Sequence, residues 1–257
     1  MRYIYVMGIT IIWFLADAMD LSQVSLAEVR AKNRLSEIKI SDQIKGKNVT
    51  NFYIFRHAPT SLNRKGIVQG CSLDADVGVL DSNDKSNIIK LKSLGFDYLY
   101  TGNSKRSYTT CEFLRSGSAV IDGSWLFQEQ NLGLFEGRNR EEVKKDPEFI
   151  KMNMNPNYKI EGVETGEEVI NRMLLGIELV AQPNTTIGIC SSTCAMNWFL
   201  KWGISDYSST FFSISNLDVI PFKYDIDCKT ISFPFADKIV IASSEVSALF
   251  NIENCVD

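Results

Sequence analysis

Histidine is almost absent from this sequence: among its 257 residues there is one, His57. Zinc sites draw on clustered histidine and cysteine side chains, yet the six cysteines are scattered and form no Cys-x-x-Cys pair. We therefore expect no metal site, and no motif in the sequence indicates a cofactor. Any chemistry that needs an imidazole must use His57.

A surplus of positive charge is also missing. The 27 lysines and arginines are outnumbered by 31 aspartates and glutamates, and the net charge is -4. Because no basic cluster offers a local patch, we expect no nucleic-acid partner. The chain also lacks repeats, low-complexity tracts and proline-rich linkers. With 45% hydrophobic residues it is long enough for one domain with a substantial core, and two full domains would be cramped.

The N-terminus has the pattern of a secretory signal peptide. Arg2 is followed by an apolar run from Ile4 to Leu15 and then by the small-x-small sequence ADA. A run of this length is too short to span a bilayer comfortably. A buried N-terminal strand or helix, or an uncleaved anchor, is the alternative, and the protein would then be cytoplasmic or membrane-anchored.

The signal-peptide interpretation divides the chain into three segments. We predict a signal peptide at residues 1–18, an N-terminal extension at residues 19–50 and the folded domain at residues 51–257. The mature protein would be secreted or periplasmic and would have no membrane span.

Strand-like and helix-like segments alternate from residue 51 onward. The sequences NFYIF, DYLYT and TTIGICSS indicate strands, and DKSNIIKLKSLG, SYTTCEFLR, TGEEVINRMLLGIELV and TCAMNWFLKWG indicate helices. The stretch SISNLDVIPFKYDIDCKTISFPF indicates an antiparallel hairpin near one sheet edge. This order predicts an α/β fold, a single three-layer domain with a mainly parallel sheet and helices on both faces.

Polar residues follow two of the predicted strands at their carboxyl ends. Arg56 and His57 follow the first strand, and Ser191, Ser192 and Thr193 follow the strand IGIC and open a helix. In such sheets ligands bind beyond the carboxyl ends of the strands, and the first amides of a helix can hold an anion. The two strand ends therefore predict one phosphate-binding site.

The stretch RHAPTSLNRKGIVQG resembles the signature of the histidine phosphatase superfamily, which has the phosphoglycerate mutase-like fold. That signature is Arg-His-Gly-x-Thr, followed by Asn and then Gln-Gly. Here Ala58 stands in place of the glycine, while Thr60, Asn63, Gln69 and Gly70 stand where the family has them.

Three further motifs are similar to those of the family, in the family's order. The stretch YTGNSKRSYTTCEFL carries Arg106 and Thr110, FQEQNLGLFEG carries Glu129, and EGVETGEEVINRM carries Glu164 and Thr165. The segment between Glu129 and Glu164 is short, whereas cofactor-dependent mutases have a longer insertion there. The resemblance therefore implies the phosphatase branch.

The last motif departs from the family pattern. Members have roughly Val-Ser-His-Gly-Gly after the strand, whereas this chain has Cys-Ser-Ser-Thr-Cys, with Ser192 in place of the second histidine and Thr193 and Cys194 in place of the glycines. No shift of register restores the histidine, because the chain has no other.

The resemblance implies a role for each matched residue. His57 is the nucleophile that becomes a phosphohistidine, and Glu129 is the acid that protonates the leaving group. The phosphate-binding residues are Arg56, Asn63, Arg106 and Ser192. We expect a phosphomonoester hydrolase of reduced activity that acts on a small phosphorylated substrate. The alternative is a pseudoenzyme that binds a phosphorylated ligand or partner without turnover.

Two other nucleophiles fit the sequence poorly. A thiolate phosphatase loop at Cys190 would need an arginine a few residues later, and CSSTCAMN has none. A serine hydrolase elbow would need glycines around the serine and a separate histidine base. Lys144, Lys145 and Lys151 fit an anionic substrate, although a solvated charged helix explains them equally well.

Overall fold

A computed structural model of the chain describes residues 39–40, 47–117, 119–121, 123–203, 207 and 212–233. All of them belong to one compact unit, Ser36–Asp257. The predicted signal peptide, most of the predicted extension and the last part of the predicted domain lie outside the described residues.

One seven-stranded mixed sheet forms the middle layer. Its strands are β1 (Lys39–Ile40), β2 (Val49–Arg56), β3 (Tyr98–Thr101), β4 (Ala119–Ile121), β5 (Thr186–Ser191), β6 (Val219–Asp225) and β7 (Thr230–Ser232). Their order across the sheet is β1-β7-β6-β2-β5-β3-β4. Strands β2, β5, β3 and β4 run parallel, whereas β6 is antiparallel to β2 and β7. The predicted hairpin is thus confirmed as β6 and β7, with β6 beside β2.

Helices connect the strands. They are α1 (Ser61–Arg64), α2 (Ser82–Ser93), α3 (Lys105–Leu114), α4 (Arg140–Val143), α5 (Pro147–Met154), α6 (Gly166–Val180) and α7 (Thr193–Gly203), with short 3-10 turns at Trp125–Phe127 and Gly133–Phe135. Among the described residues, no helix is long and apolar enough to cross a membrane.

The alternation along β2 explains the three layers. Phe52 and Ile54 belong to the hydrophobic cluster that includes the apolar faces of α6 and α7. Tyr53 and Phe55 belong to the cluster that includes residues of α2 and α3. Successive side chains of a strand point to opposite faces, so helices cover both faces of the sheet, as predicted.

Two predicted helix ends have clear local causes. Helix α6 begins with a capping box, in which Thr165 Oγ1 accepts from the Glu168 backbone N–H at 3.2 Å and Glu168 Oε2 accepts from the Thr165 N–H at 2.8 Å. Helix α7 is described through Gly203, where a Cβ would lie 2.5 Å from the Phe233 ring. Close packing therefore requires the glycine there.

Several short elements were not predicted, and strand β4 and helix α5 are two of them. Strand β4 has three residues, too few for a periodic pattern. Helix α5 does have a start signal in the sequence: Asp146 accepts from the Glu148 N–H at 3.1 Å, and Pro147 occupies the first helical position.

Candidate active site

The carboxyl ends of β2 and β5 lie side by side. The register pairs Arg56 with Ser191, and the backbone N–H of His57 donates to Ser191 O at 3.1 Å. His57 therefore lies next to the start of α7, as expected for parallel neighbours whose carboxyl ends share one sheet edge.

A cavity of about 590 Å³ opens at this edge. Five of the six predicted site residues line it: Arg56, His57, Asn63, Arg106 and Glu129. A cavity of this size accommodates a small organic ligand. Four cationic side chains and one carboxylate line it, so its charge suits an anion.

Ser192, the sixth predicted residue, is buried with 2% of its surface exposed and is not among the residues that line the cavity. Its neighbours Thr193 and Cys194 do line the cavity. Thr193 and Cys194 therefore add side chains to the cavity lining at the two positions where the family motif has glycines.

His57 presents one ring nitrogen for chemistry. The side chain is buried, and ring Nδ1 lies 2.7 Å from Ala58 O. Because a carbonyl oxygen can only accept, Nδ1 carries the proton and the lone pair is on Nε2. The His57 carbonyl accepts from Asn216 Nδ2 at 2.8 Å, which fixes the backbone at this point.

The imidazole of His57 is held neutral. Burial lowers the pKa of His57 well below its usual range, and the positive charges of Arg56 and Arg106 lower it further. The hydrogen bond to Ala58 opposes this shift with a smaller effect. A neutral ring with a lone pair on Nε2 is the form that can act as a nucleophile.

Arg56 is a buried cation beside His57. Its Nη1 donates to Ile214 O at 2.7 Å, and its Nε has no hydrogen-bond partner among the described residues. Burial lowers the pKa of Arg56 to about 10, and the charge of Arg140 contributes in the same direction. The side chain therefore remains charged at neutral pH.

Arg106 is the second buried arginine of the cavity. Its Nη1 donates to Leu73 O at 2.9 Å, its Nη2 donates to Gly70 O at 2.8 Å, and Asp74 Oδ1 lies 3.5 Å from Nη1. Its Nε, like that of Arg56, has no partner in the part of the chain that the structure describes. Buried polar groups are nearly always hydrogen-bonded, so these two N–H groups are available to the acceptor oxygens of an anion.

Thr110 joins the second motif to Ala58, the residue that follows His57. Its Oγ1 accepts from the Ala58 backbone N–H at 2.8 Å and donates to Arg106 O at 2.6 Å. The match of Thr110 to the family motif therefore has a structural reason: this hydroxyl sets helix α3 relative to His57.

Asn63 lies in helix α1, in the segment that follows His57. Its Oδ1 accepts from the Thr60 backbone N–H at 3.1 Å, which closes the capping box of α1. Asn216 Nδ2 lies 3.4 Å from the same oxygen. Asn216, which the sequence analysis missed, thus bridges Asn63 and the His57 carbonyl.

The Glu129 carboxylate caps helix α7. Its Oε1 accepts from the Gln130 and Ala195 backbone N–H groups, both at 2.9 Å, and its Oε2 accepts from the Cys194 N–H at 3.3 Å. Acidic groups are favoured at helix N-termini. Burial and the Glu129 charge raise the pKa of Cys194 well above its usual range, so this thiol is protonated.

The backbone around Glu129 is fixed by Arg172, a second residue that the sequence analysis missed. The buried guanidinium donates to four carbonyl oxygens, those of Trp125, Leu126, Gln128 and Glu129. Arg172 pairs with Glu164, which precedes α6 by two residues. Their separation of eight residues differs from the i,i+3 and i,i+4 spacings of helical ion pairs, so the sequence contains no local signal for this pair.

Of the three predicted lysines, Lys144 lines the cavity, whereas Lys145 and Lys151 do not. Lys144 is paired with Glu141 at 3.0 Å, and Lys151 with Glu148 at 2.9 Å. Arg140, which the sequence analysis also missed, lines the cavity as a further cation. Among the described residues, no cluster of histidine, cysteine, aspartate and glutamate could hold a metal ion.

Solved structures with the same fold are similar to this chain over most of their length. YhfR of Bacillus stearothermophilus has a TM-score of 0.59 at 20% identity and covers 72% of this chain and 95% of its own. A phosphoserine phosphatase from Entamoeba histolytica in complex with 3-phosphoglyceric acid has a TM-score of 0.55 at 20% identity and covers 67% and 90%. At this level of identity, the TM-scores show a shared fold and nothing more.

A sequence relative is the 2,3-bisphosphoglycerate-dependent phosphoglycerate mutase of Hamiltonella defensa subsp. Acyrthosiphon pisum (strain 5AT). It is 24% identical over 102 residues, which make up 37% of this chain and 41% of the relative. The match therefore spans less than half of that protein.

The model of the histidine phosphatase superfamily (branch 1) matches residues 52–233. This range runs from β2 to the end of the β6–β7 hairpin and contains every residue that lines the cavity. The chain belongs to the histidine phosphatase superfamily.

Proposed function

We propose that this protein is a phosphomonoester hydrolase that acts through a phosphohistidine at His57. One observation carries the proposal: two buried arginines, Arg56 and Arg106, flank a neutral imidazole in one cavity, and each has a buried Nε without a partner among the described residues. A phosphoryl group supplies acceptors for both N–H groups, and arginine matches its geometry well.

The reaction has two displacements at phosphorus. In the first, the His57 Nε2 lone pair forms the P–N bond, the bond from phosphorus to the ester oxygen breaks, and that oxygen takes a proton from the Glu129 carboxyl group. In the second, a water oxygen attacks phosphorus, the P–N bond breaks, and the water proton returns to Glu129. Phosphate is released, and His57 returns to its starting form.

The contacts of Glu129 support Oε2 as the oxygen that exchanges the proton in this proposed reaction. Oε1 takes two backbone N–H bonds at 2.9 Å, whereas Oε2 takes one at 3.3 Å, from Cys194. We assign the proton to Oε2, because a hydroxyl there interferes with the longest of the three bonds. The remaining two bonds keep the carboxyl group oriented during transfer.

Without a compensating donor, the loss of the second histidine would lower the rate. A preorganised donor to the transition state typically contributes a factor of about 10² to 10³ in rate, and the hydroxyl of Ser192 is shorter than an imidazole and uncharged.

The substrate class is suggested by proteins of similar fold, which include a phosphoserine phosphatase and a glucosyl-3-phosphoglycerate phosphatase. They support a small phosphorylated metabolite as the substrate class.

A trapping experiment tests the nucleophile. Wild-type protein incubated briefly with a radiolabelled phosphomonoester and then denatured should carry an acid-labile, alkali-stable phosphoramidate. The His57→Ala variant should carry none, while Arg138→Gln, an exposed arginine outside the cavity, should be labelled like wild type. Label that survives in His57→Ala would exclude His57 as the nucleophile.

A second candidate, a pseudoenzyme that binds phosphate without turnover, is favoured by the replacement of both motif glycines with Thr193 and Cys194. It predicts that orthovanadate and phosphate raise the melting temperature, since both bind only the folded state, while no phosphoramidate forms. Millimolar anion without any thermal shift would contradict both candidates.

A further inference from the structure

The sequence has one histidine, so no second imidazole is present to hold the transferred phosphoryl group. A histidine phosphatase site without the second histidine lacks one charged hydrogen-bond donor to the phosphoryl oxygens. The cavity contains a cation that the family motifs did not predict, Arg140, on the wall formed by α4. The following argument rests on the proposed function.

The backbone of Arg140 is fixed beside the nucleophile loop. Residues 137–140 pair with residues 66–68: the Val68 N–H donates to Arg138 O at 3.0 Å, and the Arg140 N–H donates to Gly66 O at 2.7 Å. An antiparallel bridge joins Ile67 and Asn139 between these bonds. The first motif and the Arg140 segment therefore form one rigid unit.

The guanidinium of Arg140 reaches the phosphate-binding loop. Its Nη2 donates to Asn63 O at 3.3 Å, and Asn63 lines the cavity. This is a long bond to a neutral carbonyl. It orients the guanidinium while leaving its remaining N–H groups for a ligand.

Among the described residues, none forms an ion pair that neutralises the charge of Arg140. In the described part of the chain no carboxylate oxygen lies within 4.0 Å of its guanidinium, whereas the neighbouring Lys144 is paired with Glu141 at 3.0 Å. The Arg140 charge adds to the effect of burial that lowers the pKa of Arg56, and it weakly opposes the burial that raises the pKa of Cys194. Arg56 and Cys194 both line the cavity, so the charge of Arg140 is felt within the predicted phosphate site.

We propose that Arg140 is a further catalytic residue, whose guanidinium donates to an oxygen of the transferred phosphoryl group and supplies the positive charge that the second histidine supplies elsewhere in the family. An arginine is suited to this role because its planar guanidinium stays charged and presents several donors. With Arg56 and Arg106 it makes three arginines that line the same cavity as His57. The loss of the second histidine is thereby compensated from α4.

Variants of Arg140 test this role with one aryl phosphate and with orthovanadate, which binds without turnover. We expect Arg140→Gln to lower kcat/KM by about 10²-fold or more and to weaken vanadate binding at least tenfold. Arg140→Lys keeps the charge without the planar donor geometry, so its kcat/KM and its vanadate affinity should lie between those of wild type and those of Arg140→Gln. The control, Arg138→Gln, removes an arginine outside the cavity and should change both quantities less than twofold.

Two rescue arms separate a direct role from a structural one. Added guanidinium should restore turnover in Arg140→Ala and leave Arg138→Ala unchanged. Ser192→His should raise turnover at least tenfold in the Arg140→Gln background and less than threefold in wild type, because the two cations serve the same oxygens. Rescue in neither arm would overturn the proposal.

Other outcomes are equally decisive. Undiminished vanadate binding in a folded Arg140→Gln variant would overturn the proposal, and a loss confined to esters that carry a second anionic group would assign Arg140 to that group instead. If wild-type protein turns over no phosphomonoester, the proposed function fails. The vanadate affinities would still decide whether Arg140 holds the phosphoryl group.

Discussion

Arg172 and Glu164 form a two-pronged ion pair beneath the candidate active site, with Nε 2.7 Å from Oε1 and Nη2 3.1 Å from Oε2. The Arg172 side chain is 1% exposed and also holds the carbonyl oxygens of the segment that leads to Glu129. The ion pair therefore links helix α6 to the predicted acid. Its loss should affect both stability and catalysis.

We predict that Arg172→Met lowers the free energy of unfolding by about 3–5 kcal/mol, because it removes the cation that pairs with a partly buried carboxylate and the donor to four carbonyl oxygens. Arg138→Met is the matched control: its pair with Asp146 is partly exposed and should contribute no more than about 1 kcal/mol. Urea unfolding monitored by fluorescence measures both. Equal effects in the two variants would contradict the buried role of Arg172.

Gly70 occupies a position that excludes a side chain. Its φ is +57°, and an added Cβ would lie 1.9 Å from Glu136 Oε1, which accepts from the Cys71 and Leu132 N–H groups. Its carbonyl accepts from Arg106 Nη2 at 2.8 Å. A Gly70→Ala change would therefore shift both Glu136 and Arg106, for which we propose a phosphate-binding role.

We predict that Gly70→Ala destabilises the protein by about 2–4 kcal/mol and weakens vanadate binding several-fold. Gly95→Ala is the control, since Gly95 has a φ of +67° and no atom within 4 Å of an added Cβ. It should cost about 1–2 kcal/mol from backbone strain alone and leave vanadate binding unchanged. Unchanged vanadate affinity in a folded Gly70→Ala protein would rule out the link to Arg106.

The motifs that this chain shares with the histidine phosphatase superfamily made a large part of the site predictable. Strand β2 alternates apolar residues and ends in Arg56, and the order of the motifs brings Arg106 and Glu129 to the same cavity. The contribution of Arg140 could not be read from local sequence. It depends on the pairing of residues 137–140 with residues 66–68, which is a tertiary contact with no periodic signature.

The predicted signal peptide at residues 1–18 leads to a prediction about the mature chain. If cleavage follows the sequence ADA, protein isolated from its native source should begin near Met19. Intact-mass measurement and N-terminal sequencing of the isolated protein report this directly. A soluble protein that retains Met1 would contradict both the cleavage and the secreted or periplasmic location that we propose.

Because His57 is the only histidine in the chain, its titration can be isolated by a single substitution. Burial and the charges of Arg56 and Arg106 lower the pKa of His57 in the folded state well below its usual range. The unfolded chain has the ordinary pKa of about 6.5 and therefore binds the proton more tightly. The free energy of unfolding should fall as the pH falls below this value.

We predict that the free energy of unfolding of the wild-type protein falls by about 1.4 kcal/mol through His57 between pH 7.5 and pH 5.5. The lower pH lies about one unit below the pKa of about 6.5 in the unfolded chain, and one unit corresponds to about 1.4 kcal/mol. The His57→Asn variant should lack this component, so the difference between the two proteins isolates it from the titration of carboxyl groups. Urea unfolding at several pH values measures both curves. Parallel curves over this range would show that His57 has an ordinary pKa in the folded protein, and the neutral nucleophile on which the proposed reaction depends would lose its support.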